Sequence, residues 1–87
     1  MDRRTFEENM VVATLLGKTS NNAYWRGYQR GLRRLYHGNN FGTDEEHAVW
    51  ITSVEECGNG YRAGYAGISA KMLAMQNDVL NPEGRQA

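Results

Sequence analysis

The sequence predicts an all-α fold, a small bundle of about four short helices, and three observations carry that prediction. Threonine followed three residues later by glutamate occurs twice, as Thr5 with Glu8 and Thr43 with Glu46, the reciprocal capping pattern that opens a helix. Large apolar residues between Trp25 and Leu35 recur at spacings of three and four, the period of one helical face. A Gly-Tyr-x-x-Gly element also occurs twice, Gly27 to Gly31 and Gly60 to Gly64, with the copies thirty-three residues apart.

The first helix is expected to open at the Thr5 capping box. Phe6, Met10, Ala13 and Leu16 form its apolar stripe, and Gly17 with the polar run from Lys18 to Asn22 closes it. Asn21 or Asn22 can cap a second helix reaching about Tyr36, with Gly38 placed for a left-handed terminating residue. Trp25, Tyr28, Leu32 and Leu35 share one face of this helix, with Tyr24 and Tyr36 at its margins. Arg26, Arg30, Arg33 and Arg34 gather on another face.

After a glycine- and asparagine-rich loop, Thr43 and the acids Asp44, Glu45 and Glu46 predict a third helix from Asp44 to about Val54, its inner stripe formed by His47, Trp50, Ile51 and Val54. Glu55 to Gly60 interrupts the pattern, and Tyr61 to Met75 reads as a glycine-loosened fourth helix. The alternative for residues 49–68 is an α+β arrangement with a hairpin turning at Asn59-Gly60, because that dipeptide suits a type I′ turn. The expected organisation is one helical domain over residues 1–80 and a flexible tail over 81–87, where apolar periodicity is absent.

A glycine inside a helix costs about 0.5–1 kcal/mol relative to alanine. The four in the two copies, at 27, 31, 60 and 64, and a fifth at 67 therefore need a compensating contact. Glycines four apart make a shallow groove into which another backbone can fit. Gly27, Gly31, Gly60, Tyr61 and Gly64 are thus expected to pack helices together within the domain, with a homodimer interface as the alternative use of the groove.

Ten basic and ten acidic residues cancel, so bulk charge does not steer the chain toward nucleic acid. The charge is nevertheless divided along the sequence. Tyr24 to His37 holds four arginines and no acid, and Asp44 to Glu56 holds five acids and no Lys or Arg. The two segments can neutralise one another, or the arginine face can serve as a binding surface. The acidic segment could also mimic nucleic acid, although helix-start chemistry already accounts for three of its acids.

The lone Cys57 cannot form an internal disulfide, and the apolar run from Met10 to Leu16 is too short to cross a bilayer. A cytoplasmic protein with no membrane association is expected. His37, His47 and Cys57 are the candidate nucleophile, base or metal ligands, but no recognised spacing relates them. No enzyme activity, cofactor or metal site is predicted. Met72, Leu73 and Met75 are read as core or as a soft apolar patch.

Arg26-Gly27-Tyr28-Gln29-Arg30-Gly31, the later Trp50 and Gly60-Tyr61-Arg62 together resemble the ribosome modulation factor family over about residues 24–64. The resemblance implies a two-helix, ribosome-binding core that suppresses translation by occupying an RNA-rich surface. The expected function is accordingly a non-catalytic module that regulates or inhibits a larger protein or ribonucleoprotein, with RNA a candidate ligand. Its binding residues would be Tyr24, Trp25, Arg26, Tyr28, Arg30, Arg33, Arg34 and Tyr36, guanidinium groups serving phosphates and rings serving bases. The alternatives are a phage or mobile-element inhibitor of a host defence complex, such as an anti-CRISPR protein, and a homodimeric assembly protein.

Overall fold

The computed structural model describes residues 1–80. They form α1 (Arg3–Thr19), α2 (Asn22–His37), α3 (Asp44–Thr52), α4 (Glu56–Tyr65) and α5 (Ala70–Leu80), with a 3-10 turn at Gly38–Asn40 between α2 and α3. The fold is all-α, with five helices where the spacing predicted about four. No strand occurs among the described residues, and Asn59 and Gly60 lie inside α4 instead of turning a hairpin. The tail expected over 81–87 lies outside the described residues.

Three helix boundaries follow their predicted caps. The Asn21 side chain accepts the Tyr24 N–H at 3.2 Å to start α2, and Gly38 at φ +63° ends it. Thr43 Oγ1 accepts the Glu46 N–H at 3.1 Å to start α3. The other boundaries differ. α1 is capped by Asp2, whose carboxylate accepts the Thr5 N–H at 2.8 Å. That bond also holds the Asp2 carboxyl below its ordinary range. Thr5 is already inside the helix, and Glu8 pairs with Arg4 one turn back at 3.3 Å rather than completing a box. α1 also continues through Gly17 to Thr19, because Gly17 is buried at its contact with α2.

α3 stops at Thr52, so Val54 lies beyond the helix and is 90% exposed; it is not part of the inner stripe. α4 begins at Glu56, so most of the segment expected to interrupt the helices is helical. The expected fourth helix is divided at Gly67, whose φ of +75° takes the chain out of α4 before α5 begins.

The centre of the fold is the contact between α2 and α4. A β-carbon placed on Gly27 would lie 1.9 Å from the Cys57 carbonyl oxygen, and one on Gly31 would lie 2.0 Å from that of Tyr61. Reciprocally, a β-carbon on Gly60 would meet the Tyr24 oxygen at 1.8 Å and one on Gly64 the Tyr28 oxygen at 2.1 Å. Residue numbers rise together along this contact, so the helices run parallel. Each contact is also matched by its counterpart thirty-three residues on, which relates the two helices by an approximate two-fold axis. At such approach the Cα–H groups of one helix can face the carbonyls of the other, which offsets the helix penalty of the four glycines. The two grooves fill one another inside a single chain.

Parallel packing sets like helix ends side by side, an arrangement that charged side chains relieve. Glu56 lies at the shared N-terminal end, where it accepts from Asn21 Nδ2 at 2.6 Å. Arg34 and His37 occupy the last turn of α2, and Arg62 that of α4.

α1 packs antiparallel on α2 and α3 antiparallel on α4, as the residue pairs in contact show. Gln29 Nε2 donates to the Met10 carbonyl at 3.2 Å and to Thr14 Oγ1 at 2.7 Å. Thirty-three residues on, Arg62 Nη1 donates to the Ile51 and Ser53 carbonyls at 3.2 and 2.6 Å. Each Gly-Tyr element therefore uses the residue after its tyrosine to fasten the preceding helix. Ala13, Trp25, Tyr28, Leu32 and Ala70 make the buried core, with Phe6, Met10, Leu16 and Leu73 against it. α5 is tied on by the Ala70 N–H, which donates to Asn9 Oδ1 at 2.9 Å.

Candidate functional site

The eight residues expected to form a binding face divide into three groups. Trp25 and Tyr28 belong to the core, at 3% and 0% exposure, because the face of α2 that carries them meets α1 and α4. The Tyr28 hydroxyl donates to the Ile68 carbonyl at 2.7 Å, and burial pushes its pKa up to about 12. Tyr24 is half-buried edge-on to Trp25, and burial raises its phenol as well. Tyr36 is half-buried and stacks on Phe6 at a 4.3 Å centroid distance. None of these four rings is presented as a free stacking platform.

Arg34 forms the second group. Its side chain is buried and donates to the Phe41 carbonyl at 3.2 Å, to Asn39 Oδ1 at 3.2 Å and to Asp44 at 2.7 Å. It clamps the turn between α2 and α3, and its charge is met by Asp44, one acid of the segment expected to neutralise the arginines.

Arg26, Arg30 and Arg33 remain. They recur at four and three residues along α2, outside the line of its buried residues Trp25, Tyr28 and Leu32, and among the described residues none makes an ion pair. His37 continues the same line one turn further. Two of the arginines are held by aromatic rings: the Arg30 guanidinium lies 5.2 Å from the centroid of Trp50 in α3, and that of Arg33 lies 5.9 Å from the centroid of Phe41. These stacks leave the edge N–H groups of a guanidinium directed outward for bidentate contact.

Sequence spacing finds the arginines but not Phe41 and Trp50. The loop and α3 have to fold back along α2 before those rings reach them, and the Arg34 clamp is what holds that return. Trp50 also stacks with Tyr61 at 5.9 Å, and His47 Nδ1 lies 2.7 Å from the Tyr61 hydroxyl. Burial raises the Tyr61 pKa, against the opposing effect of nearby Arg34.

The residues considered for catalysis have separate surroundings. His37 packs against Phe6 and Tyr36, His47 against Tyr61 and Tyr65, and the Cys57 thiol has Glu55 as its polar neighbour. Among the described residues no three His, Cys, Asp or Glu side chains are grouped to hold a metal, and no helix is long and apolar enough to cross a membrane. No protein-family model, curated protein sequence or solved structure matches the chain.

Proposed function

We propose that this protein is a non-catalytic binding module that sets the arginine ridge of α2 against an RNA-bearing surface of a larger ribonucleoprotein, and regulates that assembly by occupying the surface. The observation that carries the reading is the line of three guanidinium groups, Arg26, Arg30 and Arg33, that make no ion pair among the described residues, two of them supported by aromatic rings. Successive arginines one turn apart on a helix offer a row of phosphate contacts. The likeness of Arg26 to Gly31 and of Gly60 to Arg62 to the ribosome modulation factor family points to the ribosome as the assembly to test first.

The test is co-sedimentation with bacterial ribosomes across a salt series. Three phosphate contacts correspond to a slope of log affinity against log salt of roughly −2 to −3. The triple change Arg26→Gln, Arg30→Gln, Arg33→Gln is expected to abolish binding while the helical spectrum is retained, since these three side chains make no ion pair among the described residues. Salt-independent binding, or binding unaltered in the triple variant, would remove the arginine ridge as the contact surface.

A further inference from the structure

We propose that the groove between the C-terminal half of α1 and the N-terminal half of α2 is a sugar–phosphate subsite that distinguishes RNA from DNA; this rests on the reading of the arginine ridge as an RNA contact. The groove is floored by Ala13 and Trp25 and encloses about 240 Å³, somewhat less than the roughly 300 Å³ at which sites for drug-sized ligands begin. That space suits one ribose and its phosphate. Lys18 and Arg26 both line it, one from each helix, and neither makes an ion pair among the described residues. Arg26 is also the first member of the ridge, so a strand lying along Arg33, Arg30 and Arg26 runs directly into the groove.

The polar chemistry between the two cations favours ribose. Gln29 and Asn22 also line the groove. The Gln29 amide nitrogen is committed to Met10 O and Thr14 Oγ1, and that of Asn22 donates to the Gly17 carbonyl at 3.2 Å. A backbone carbonyl can only accept, so these bonds fix the orientation of both amides. Among the described residues no hydrogen bond engages either amide oxygen, so each is left able to accept. The groove thus pairs two cationic donors for a phosphate with two neutral acceptors for hydroxyl groups, and the 2′-hydroxyl is the donor that ribose has and deoxyribose lacks.

A larger depression, about 500 Å³ between α1 and α5, is lined by Glu7 and Glu8 as well as Arg4 and Lys71. Its opposed charges favour no anion, in contrast to the two cations of the α1–α2 groove.

Fluorescence anisotropy with an unstructured oligoribonucleotide and the deoxy oligonucleotide of matching sequence tests the subsite on the intact protein. The RNA is expected to bind about three- to tenfold more tightly, the range of one or two added neutral hydrogen bonds. Lys18→Ala should weaken both ligands and reduce the magnitude of the single-strand salt slope by about 0.7. Asn22→Ala should weaken RNA alone and shrink the preference. Lys18 is exposed and alanine is a strong helix former at position 22, so circular dichroism should show both variants folded. Equal affinity for the two oligonucleotides, unchanged by either substitution but lost in Arg30→Gln with Arg33→Gln, overturns the subsite and leaves the ridge standing. Failure of the unaltered protein to bind either oligonucleotide overturns the RNA reading itself.

Discussion

Gly31→Ala reverses the ordinary effect of replacing a helical glycine. In an open helix the change stabilises by about 0.5–1 kcal/mol. Here the new β-carbon would lie 2.0 Å from the Tyr61 carbonyl oxygen and 2.8 Å from the Tyr65 nitrogen, whereas ordinary contact begins at 3.4 Å. The shortfall to the oxygen is about 1.4 Å, and both neighbours are backbone atoms of α4 that no rotamer change can move. The helices must separate, and a gap of 0.5–1 Å already forfeits a quarter to a half of each dispersion contact across an interface. Overpacking that shifts backbone costs typically about 1–3 kcal/mol and occasionally more; a clash with two backbone atoms of α4 belongs at the top of that range or above it, about 3–5 kcal/mol, so after the propensity gain we expect a net loss of about 2–4 kcal/mol.

That loss is large against the total of roughly 4–13 kcal/mol expected at this chain length. Urea denaturation followed by helical circular dichroism should show it directly. The melting temperature should fall by about 8–32 °C, taking 4–8 °C per kcal/mol for a domain of this size. Gly17→Ala is the matched control: its β-carbon would meet the Trp25 Cβ at 3.4 Å, an acceptable contact, so it should be neutral or stabilising by up to about 1 kcal/mol. If Gly31→Ala is as stable as the unaltered protein, the close parallel contact of α2 and α4 does not exist.

Two further outcomes follow from named contacts. Arg34→Ala removes the buried side chain that holds Phe41, Asn39 and Asp44; it should cost about 1.5–3 kcal/mol and increase amide hydrogen exchange from Asn39 to Glu46, and unchanged exchange there would disprove the clamp. Tyr28 is protonated in the fold and its pKa is raised to about 12, so its contribution is fully present below the unfolded phenol value of about 10 and is lost as pH rises through 12. The unaltered protein should therefore lose stability steeply between those limits. Tyr28→Phe should be weaker at neutral pH by about 1 kcal/mol but flatter across the alkaline window, and parallel curves would assign the alkaline sensitivity elsewhere.

The sequence expresses α2 almost completely, since its cap, stripe and terminating glycine are all local signals. α4 was obscured because its evidence is not local. Cys57-Gly-Asn-Gly60 has poor intrinsic helix propensity, and it becomes helical because the backbone of α2 lies against it. The same cause explains why the expected binding face was too broad. Spacing places Trp25 and Tyr28 on one face and Arg26, Arg30 and Arg33 on another, but which face is covered depends on where α1 and α4 settle. The acidic segment shows a related limit: only Asp44 reaches an arginine of α2, while Glu56 turns to Asn21 and the helix ends.

The approximate symmetry of the fold is confined to the contact that imposes it. Four glycines and the paired tyrosines satisfy the backbone approach equally in both helices, and Gln29 and Arg62 fasten the flanking helices by equivalent means. Thirty-three residues on from Arg26, Arg30 and Arg33, however, stand Asn59, Ala63 and Ala66. Asn59 accepts from Arg62, and Ala63 packs against the core, so the second copy has no cationic ridge. The constraint common to both copies acts on one side of each helix and leaves the opposite side free to diverge. On α2 that free side is held rigid from behind by backbone-to-backbone contact with α4, so its arginines project from fixed positions. Less conformational freedom then remains to be lost on docking, and the symmetric core serves an asymmetric surface by fixing it in place.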